Sequence, residues 1–180
     1  VGSSGLILLP YFEGERTPNV PDGTGVLFGL NSRTFNPAHL ARAAMEGATL
    51  GMNYGLNRMR ELGINPKQIR LTGGGSKNRA WRQIAANIFG TEVVCLKIDE
   101  GAAYGAALQA MWTYRNHMGE KVTIQEITDH YVEVDENTLV SPKPDSVEIY
   151  GELQKIQDTL SRSLRRVFHL HRRFLESYVH

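Results

Sequence analysis

With 180 residues, 41% of them hydrophobic and 22% charged, the chain is long enough for a globular domain with its own core and carries no compositional sign of disorder. A formal net charge of +1 excludes a general attraction to nucleic acid or to an anionic membrane surface. The single cysteine, Cys95, excludes an internal disulfide, and no stretch approaches the roughly 20 apolar residues that span a bilayer. These features predict a soluble, cytoplasmic protein with no nucleic-acid and no membrane partner.

The chain opens on Val1 without an initiator methionine, and its Gly-Ser-Ser-Gly leads straight into an apolar run. It reads as natural sequence cut from a longer chain rather than as an expression scar. Leu6–Phe12 has strand content, and Pro10 places its end at a sheet edge or in a loop. The glycines, prolines and charges of residues 13–25 predict a loop. Within it Glu15 and Arg16 admit two roles, contacts with a second lobe across a cleft or a local ion pair that pins the loop. Val26–Leu30 predicts a short strand. Asn36 is placed to cap a helix with Pro37 in its first position; the helical pattern runs from Ala38 to Leu62, and Gly63 stops it. Inside it Ala43, Gly47, Gly51 and Gly55 recur every four residues as a smooth ridge, which predicts close packing on a sheet or a second helix.

Gln68–Thr72 predicts a strand. Gly73, Gly74 and Gly75 follow, then a helix whose Trp81, Ile84, Ala85, Ile88 and Phe89 share one face before Gly90 ends it. Glu92–Ile98 predicts a second buried strand with Cys95 in the core. Asp99 or Glu100 is placed to cap a helix of small residues, Gly101–Trp112. Strand, helix, strand, helix with short connections predict a parallel α/β sheet covered by helices. Residues 115–146 are polar, with His130–Val134 as a strand candidate. Val147–Tyr178 predicts one long helix with Tyr150, Leu153, Ile156, Leu160, Leu164, Val167, His171, Phe174 and Tyr178 near one face and its arginines on a solvated one. His169 and His171 point to different faces and form no metal pair.

A strand that runs through three glycines into a helix presents backbone N–H groups at the positive end of that helix, where a phosphate or a nucleotide edge is favoured. A Walker-type loop needs a lysine followed by Ser or Thr, and here Asn78 follows Lys77. The dinucleotide fingerprint needs another glycine spacing and a later acidic residue. On the residues alone, a tight turn and a nucleotide site stand equally open.

Gly25–Gly47 resembles the second signature of the FGGY family of carbohydrate kinases: a short strand ending in Gly-Leu, a spacer, then a helix with His39, Leu40, Ala43, Ala44, Met45 and Glu46 at matching positions. Leu9–Pro18 is similar to the loop before that signature in xylulokinase-like members. Leu71–Gly90 resembles the family's adenosine motif, and Asp99–Trp112 the small-residue helix that follows it. The last third resembles the family only through its long terminal helix. The resemblance implies two actin-like, RNase H-like lobes with ATP and sugar in the cleft between them. Residues 1–180 are then the C-terminal, nucleotide-binding lobe, an α/β fold with a mixed sheet, packed helices and a long C-terminal helix. It implies further that Gly73 and Gly74 lie against the adenosine and α-phosphate, with Gly75 in the same ATP-binding turn, and that Asn78 hydrogen-bonds near the adenine. Ser76 and Lys77 receive no assignment.

Phosphoryl transfer from ATP to a sugar hydroxyl needs a base, Mg2+ on the phosphates, and donors for the transferring oxygens. The resemblance places the catalytic Asp, the sugar contacts and both phosphate-binding loops before this chain begins. No catalytic residue and no metal ligand is therefore assigned here; Asp22, Asp129, Asp135 and Asp145 match no family motif. The expectation is an ATP- and Mg2+-dependent kinase of D-xylulose, or of glycerol, gluconate, ribulose or fuculose, whose sugar is held through the missing N-terminal lobe and whose C-terminal lobe is inactive alone. A non-catalytic actin-like nucleotide-binding module and a plain structural domain are the competing readings. A lobe without its first strands exposes a sheet edge, so a homo-oligomer is also open.

Overall fold

In the computed structural model, which describes residues 1–98 and 100–179, the first strand signal becomes β1, Ile7–Pro10, paired antiparallel with β2, Gly25–Phe28. Both strands belong to one of two compact units, formed by residues 1–65, 87–90 and 142–180; residues 66–86 and 91–141 form the other.

In the first unit, helix α1 spans Pro37–Glu61. Asn36 caps it as expected, its Oδ1 accepting the His39 N–H at 3.1 Å. Gly63, at φ +86°, ends it. The ridge of small residues is only half used. A Cβ on Gly47 would collide with the Leu8 carbonyl oxygen, so here helix and strand backbones approach directly, whereas a Cβ on Gly51 or Gly55 would meet nothing within 4 Å among the described residues. The lengths explain this: four strand residues reach about 13 Å, a 25-residue helix about 37 Å, so α1 overruns β1.

The terminal helix comes in two pieces, α5, Pro144–Ser163, and α6, Arg165–Tyr178, separated at Leu164. The hydrogen bonds continue across the join, Leu164 N–H to Leu160 and Phe168 N–H to the Leu164 carbonyl. The buried face differs from the expected one. Tyr150 and Leu153 are in the core and Phe168 packs with Leu9, Tyr11 and Val20, but Ile156, Val167, Phe174 and Tyr178 are exposed. Buried polar groups tie the unit together. Gln157 Nε2 donates to the Leu8 carbonyl at 3.2 Å and to that of Gly47 at 3.1 Å. Glu46 Oε1 accepts from Arg42 Nε at 2.6 Å, the Tyr150 hydroxyl at 2.5 Å and the Gly2 N–H at 3.0 Å. In the loop between β1 and β2, Glu15 makes no ion pair with Arg16; its carboxylate accepts the N–H groups of Arg16 and Thr17 at 2.7 and 2.9 Å.

In the second unit, β3, Gln68–Leu71, and β4, Glu92–Leu96, are parallel and joined through α2, Arg79–Phe89, whose last three residues are counted with the first unit. The expected face of α2 is buried from Ile84 to Phe89, and Cys95 is buried in β4. The sheet is not all parallel. After β4 the chain forms α3, Gly101–His117, and α4, Ile124–Tyr131, then returns as β5, Val134–Val140, antiparallel to β4, giving the order β3-β4-β5. Where the sequence predicts a strand at His130–Val134, α4 occupies His130 and Tyr131 and the strand begins at Val134. The capping box of α4 was legible: Thr123 Oγ1 accepts the Glu126 N–H at 3.2 Å and Glu126 Oε2 the Thr123 N–H at 2.7 Å. Glu100 occupies the cap position of α3, but its carboxylate makes no capping bond; Asp99 lies outside the described residues. Among the described residues no helix is long and apolar enough to cross a membrane.

Candidate functional site

The glycine triplet does not run directly into α2. Gly73 sits at φ +84° and ψ −179°, a conformation that favours glycine, and Gly74–Lys77 form one 3-10 turn. The turn is closed by the Ser76 N–H, which donates to the Gly73 carbonyl at 3.1 Å, and by the Asn78 N–H, which donates to that of Gly75 at 3.2 Å. Ser76 Oγ grips the same Gly73 carbonyl at 2.7 Å, and Ser76 is buried.

Asn78 caps α2. Its Oδ1 accepts the N–H groups of Ala80 at 2.9 Å and Trp81 at 3.2 Å, so the positive end of the helix is already occupied by the protein's own oxygen. Among the described residues, the N–H groups of Gly74 and Gly75 lie outside the turn's own bonds, and the Asn78 amide nitrogen is left over once Oδ1 is engaged.

The three glycines are not equivalent. A Cβ at Gly73 or Gly74 would meet no atom of the described residues within 4 Å, so both border open space. A Cβ at Gly75 would come 3.0 Å from the Trp81 ring; that glycine makes room for a side chain of the same unit. A Cβ at Gly101, the first residue of α3, would come 3.0 Å from Thr72 Oγ1, so the start of the small-residue helix lies against the end of β3, beside the turn. Beneath the turn are two residues that sequence reasoning missed. Arg82 Nη1 donates to the Ser76 carbonyl at 2.7 Å, and the Cys95 thiol reaches the same oxygen at 3.5 Å. Arg82 stands four residues after the cap, a spacing that could have shown it reaching back; nothing in the sequence shows Cys95 beneath the turn.

The open floor at Gly73 and Gly74, beside N–H donors that lie outside the turn's own bonds among the described residues, suits a nucleotide edge or a phosphate ester oxygen. Among the described residues no group of three or more His, Cys, Asp or Glu side chains could hold a metal ion.

Comparison with known proteins gives the same region a family. The chain is 41% identical over 150 residues to the xylulose kinase of Haemophilus influenzae (strain ATCC 51907 / DSM 11121 / KW20 / Rd), an alignment that covers 83% of this chain and 29% of that protein. The fold superposes on the ligand-bound xylulose kinase from Lactobacillus acidophilus with a TM-score of 0.82 at 27% identity, over 94% of this chain and 33% of that one. The gluconate kinase from Lactobacillus acidophilus matches with the same TM-score of 0.82, identity of 27% and coverage of 94% and 33%. The chain thus spans about a third of the length of the relatives it matches. The profile of the C-terminal domain of the FGGY family of carbohydrate kinases matches residues 1–114, a stretch that contains both the signature helix and the glycine turn, and the chain belongs to that family.

Proposed function

We propose that residues 1–180 are the nucleotide-binding lobe of a cytoplasmic, ATP-dependent sugar kinase that passes the γ-phosphate of ATP to a hydroxyl of D-xylulose, giving xylulose 5-phosphate. The observation that carries this reading is the open, side-chain-free floor at Gly73 and Gly74 within the stretch matched to the kinase family. On it the adenosine and α-phosphate lie over Gly73 and Gly74, where a side chain would fill their space. The N–H groups of Gly74 and Gly75 donate to ligand oxygens, and the Asn78 amide nitrogen donates near the adenine. This chain's part is to bind and orient one end of ATP. Mg2+, when bound, neutralises charge on the phosphates, and it is held with the sugar and the general base by a preceding lobe outside these residues.

Gluconate is the second substrate reading, because a gluconate kinase superposes as well as a xylulose kinase does. The test is an ADP-release assay on the full-length protein with D-xylulose, D-gluconate, D-ribulose, L-fuculose and glycerol. The highest kcat/KM is expected for D-xylulose. A higher value for another substrate overturns the sugar assignment, and no ATP turnover with any of the five overturns the kinase in favour of a non-catalytic nucleotide-binding module.

A further inference from the structure

We propose that Arg82 is a positioning residue for the nucleotide turn: from beneath, it holds the Ser76 carbonyl and thereby the Gly73–Gly74 backbone on which ATP rests. The proposal rests on the reading above, that ATP lies over these glycines.

Ser76 is the hub of the turn. Its N–H and its Oγ both donate to the Gly73 carbonyl, at 3.1 and 2.7 Å, so the peptide that follows Gly73 is oriented by Ser76. The remaining backbone group of Ser76, its carbonyl, stands at the C-terminal end of the 3-10 turn and has no acceptor role within it. Arg82 Nη1 takes that oxygen at 2.7 Å, and the buried Cys95 thiol supports it from β4 at 3.5 Å. A charge-assisted bond is the stronger of the two. The chain of contact is therefore short: guanidinium to Ser76 carbonyl, Ser76 N–H and hydroxyl to Gly73 carbonyl, Gly73 to the open floor.

Arg82 itself is well fixed. Its own N–H donates to the Asn78 carbonyl at 3.0 Å in the first turn of α2. Its Nε is buried without a hydrogen-bond partner among the described residues, a desolvation cost that a purely structural contact would avoid with an apolar side chain of the same length. The residue keeps a guanidinium where packing alone would take a methionine, and the carbonyl that receives it is the one that ends the turn.

The test uses the full-length protein with Arg82→Met, which keeps the stem and removes the donor, and Arg82→Lys, which keeps a donor. ATP affinity by calorimetry and the KM values for ATP and for sugar are measured beside the melting temperature. Arg82→Met is expected to weaken ATP binding and raise the KM for ATP about tenfold, the loss of one hydrogen bond from a charged group, while the KM for sugar moves less than about twofold. Arg82→Lys is expected to recover part of that loss, and if Arg82→Met does not fold, a selective rise in the KM for ATP in Arg82→Lys carries the test. Unchanged ATP affinity in a folded variant overturns the positioning role, as does an equal loss of ATP and sugar affinity with a lowered melting temperature. If the unsubstituted protein binds no ATP, it is the nucleotide reading that fails.

Discussion

Gly74 and Gly75 are neighbours in one turn, yet substituting them should have opposite effects. Gly74 borders open space, so Gly74→Val should leave the unfolding free energy within about 1 kcal/mol of the original. If ATP lies there, the added side chain takes its place, and calorimetry on the full-length protein should show affinity reduced at least about tenfold, the effect of losing about 1.4 kcal/mol. Gly75→Ala pushes a methyl group to 3.0 Å from the Trp81 ring and should cost about 1 kcal/mol in denaturant titration, because a packed ring must give way. An equal loss of stability in both variants would remove the distinction. Nothing in the letters of a glycine triplet carries it, since what each position faces depends on Trp81 and on the empty side of the turn. The cap is a similar case: Asn78 was legible as important, but its oxygen serves α2, and only the amide nitrogen is left for a ligand.

At the scale of the element, α1 gives a contrast within one helix. Gly47→Ala should destabilise by about 1–3 kcal/mol, because the methyl group collides with backbone of β1 that cannot rotate away. Gly51→Ala and Gly55→Ala should stabilise by about 0.5–1 kcal/mol each, since both sites are open and alanine loses less chain entropy in a helix. Chemical denaturation of the three variants decides this, and a loss at Gly51 would mean that a partner covers that face. The contact of α1 with α5 adds a pH dependence. Burial first, and then the hydrogen bond to Glu46, push the Tyr150 hydroxyl up to about 12, against the usual value near 10. Below pH 10 the hydroxyl is protonated in both folded and unfolded chains and its contribution is fully present. Between pH 10 and about 12 the unfolded chain gives up the proton while the folded one holds it, so stability falls as pH rises. Tyr150→Phe should cost about 1–2 kcal/mol at pH 8, where Glu46 loses a donor, and should show a shallower loss of stability above pH 10. Unfolding curves from pH 8 to 11.5 would settle both points.

At the scale of the whole molecule, the proposed division of labour predicts that the purified 180-residue chain transfers no phosphate from ATP to D-xylulose, while the full-length protein does. Measurable turnover by the isolated chain would show that a base and a phosphate-binding set lie within these residues. The strand order β3-β4-β5 leaves β3 at an edge, and β2 ends on the exposed Leu27 and Phe28. An edge with unpaired backbone groups and apolar side chains tends to pair with another chain, so light scattering should show concentration-dependent association of the isolated chain. A constant monomer mass up to millimolar concentration would count against it.

Much of this protein was determined by its sequence alone. The cap at Asn36, the stop at Gly63, the buried face of α2 and the core position of Cys95 follow from local chemistry: a side-chain oxygen within reach of an N–H three residues on, a residue free to take positive φ, an apolar period. The family was legible for the same reason, because its motifs are contiguous stretches in a fixed order. Only the tertiary structure decided how those pieces meet. It turned β5 antiparallel, inserted α4, and left half of the glycine ridge without a partner. It also placed Arg82 and Cys95 under one carbonyl. These outcomes depend on groups far apart in the chain converging on the same few ångströms, and no periodicity or propensity encodes which side chain arrives there.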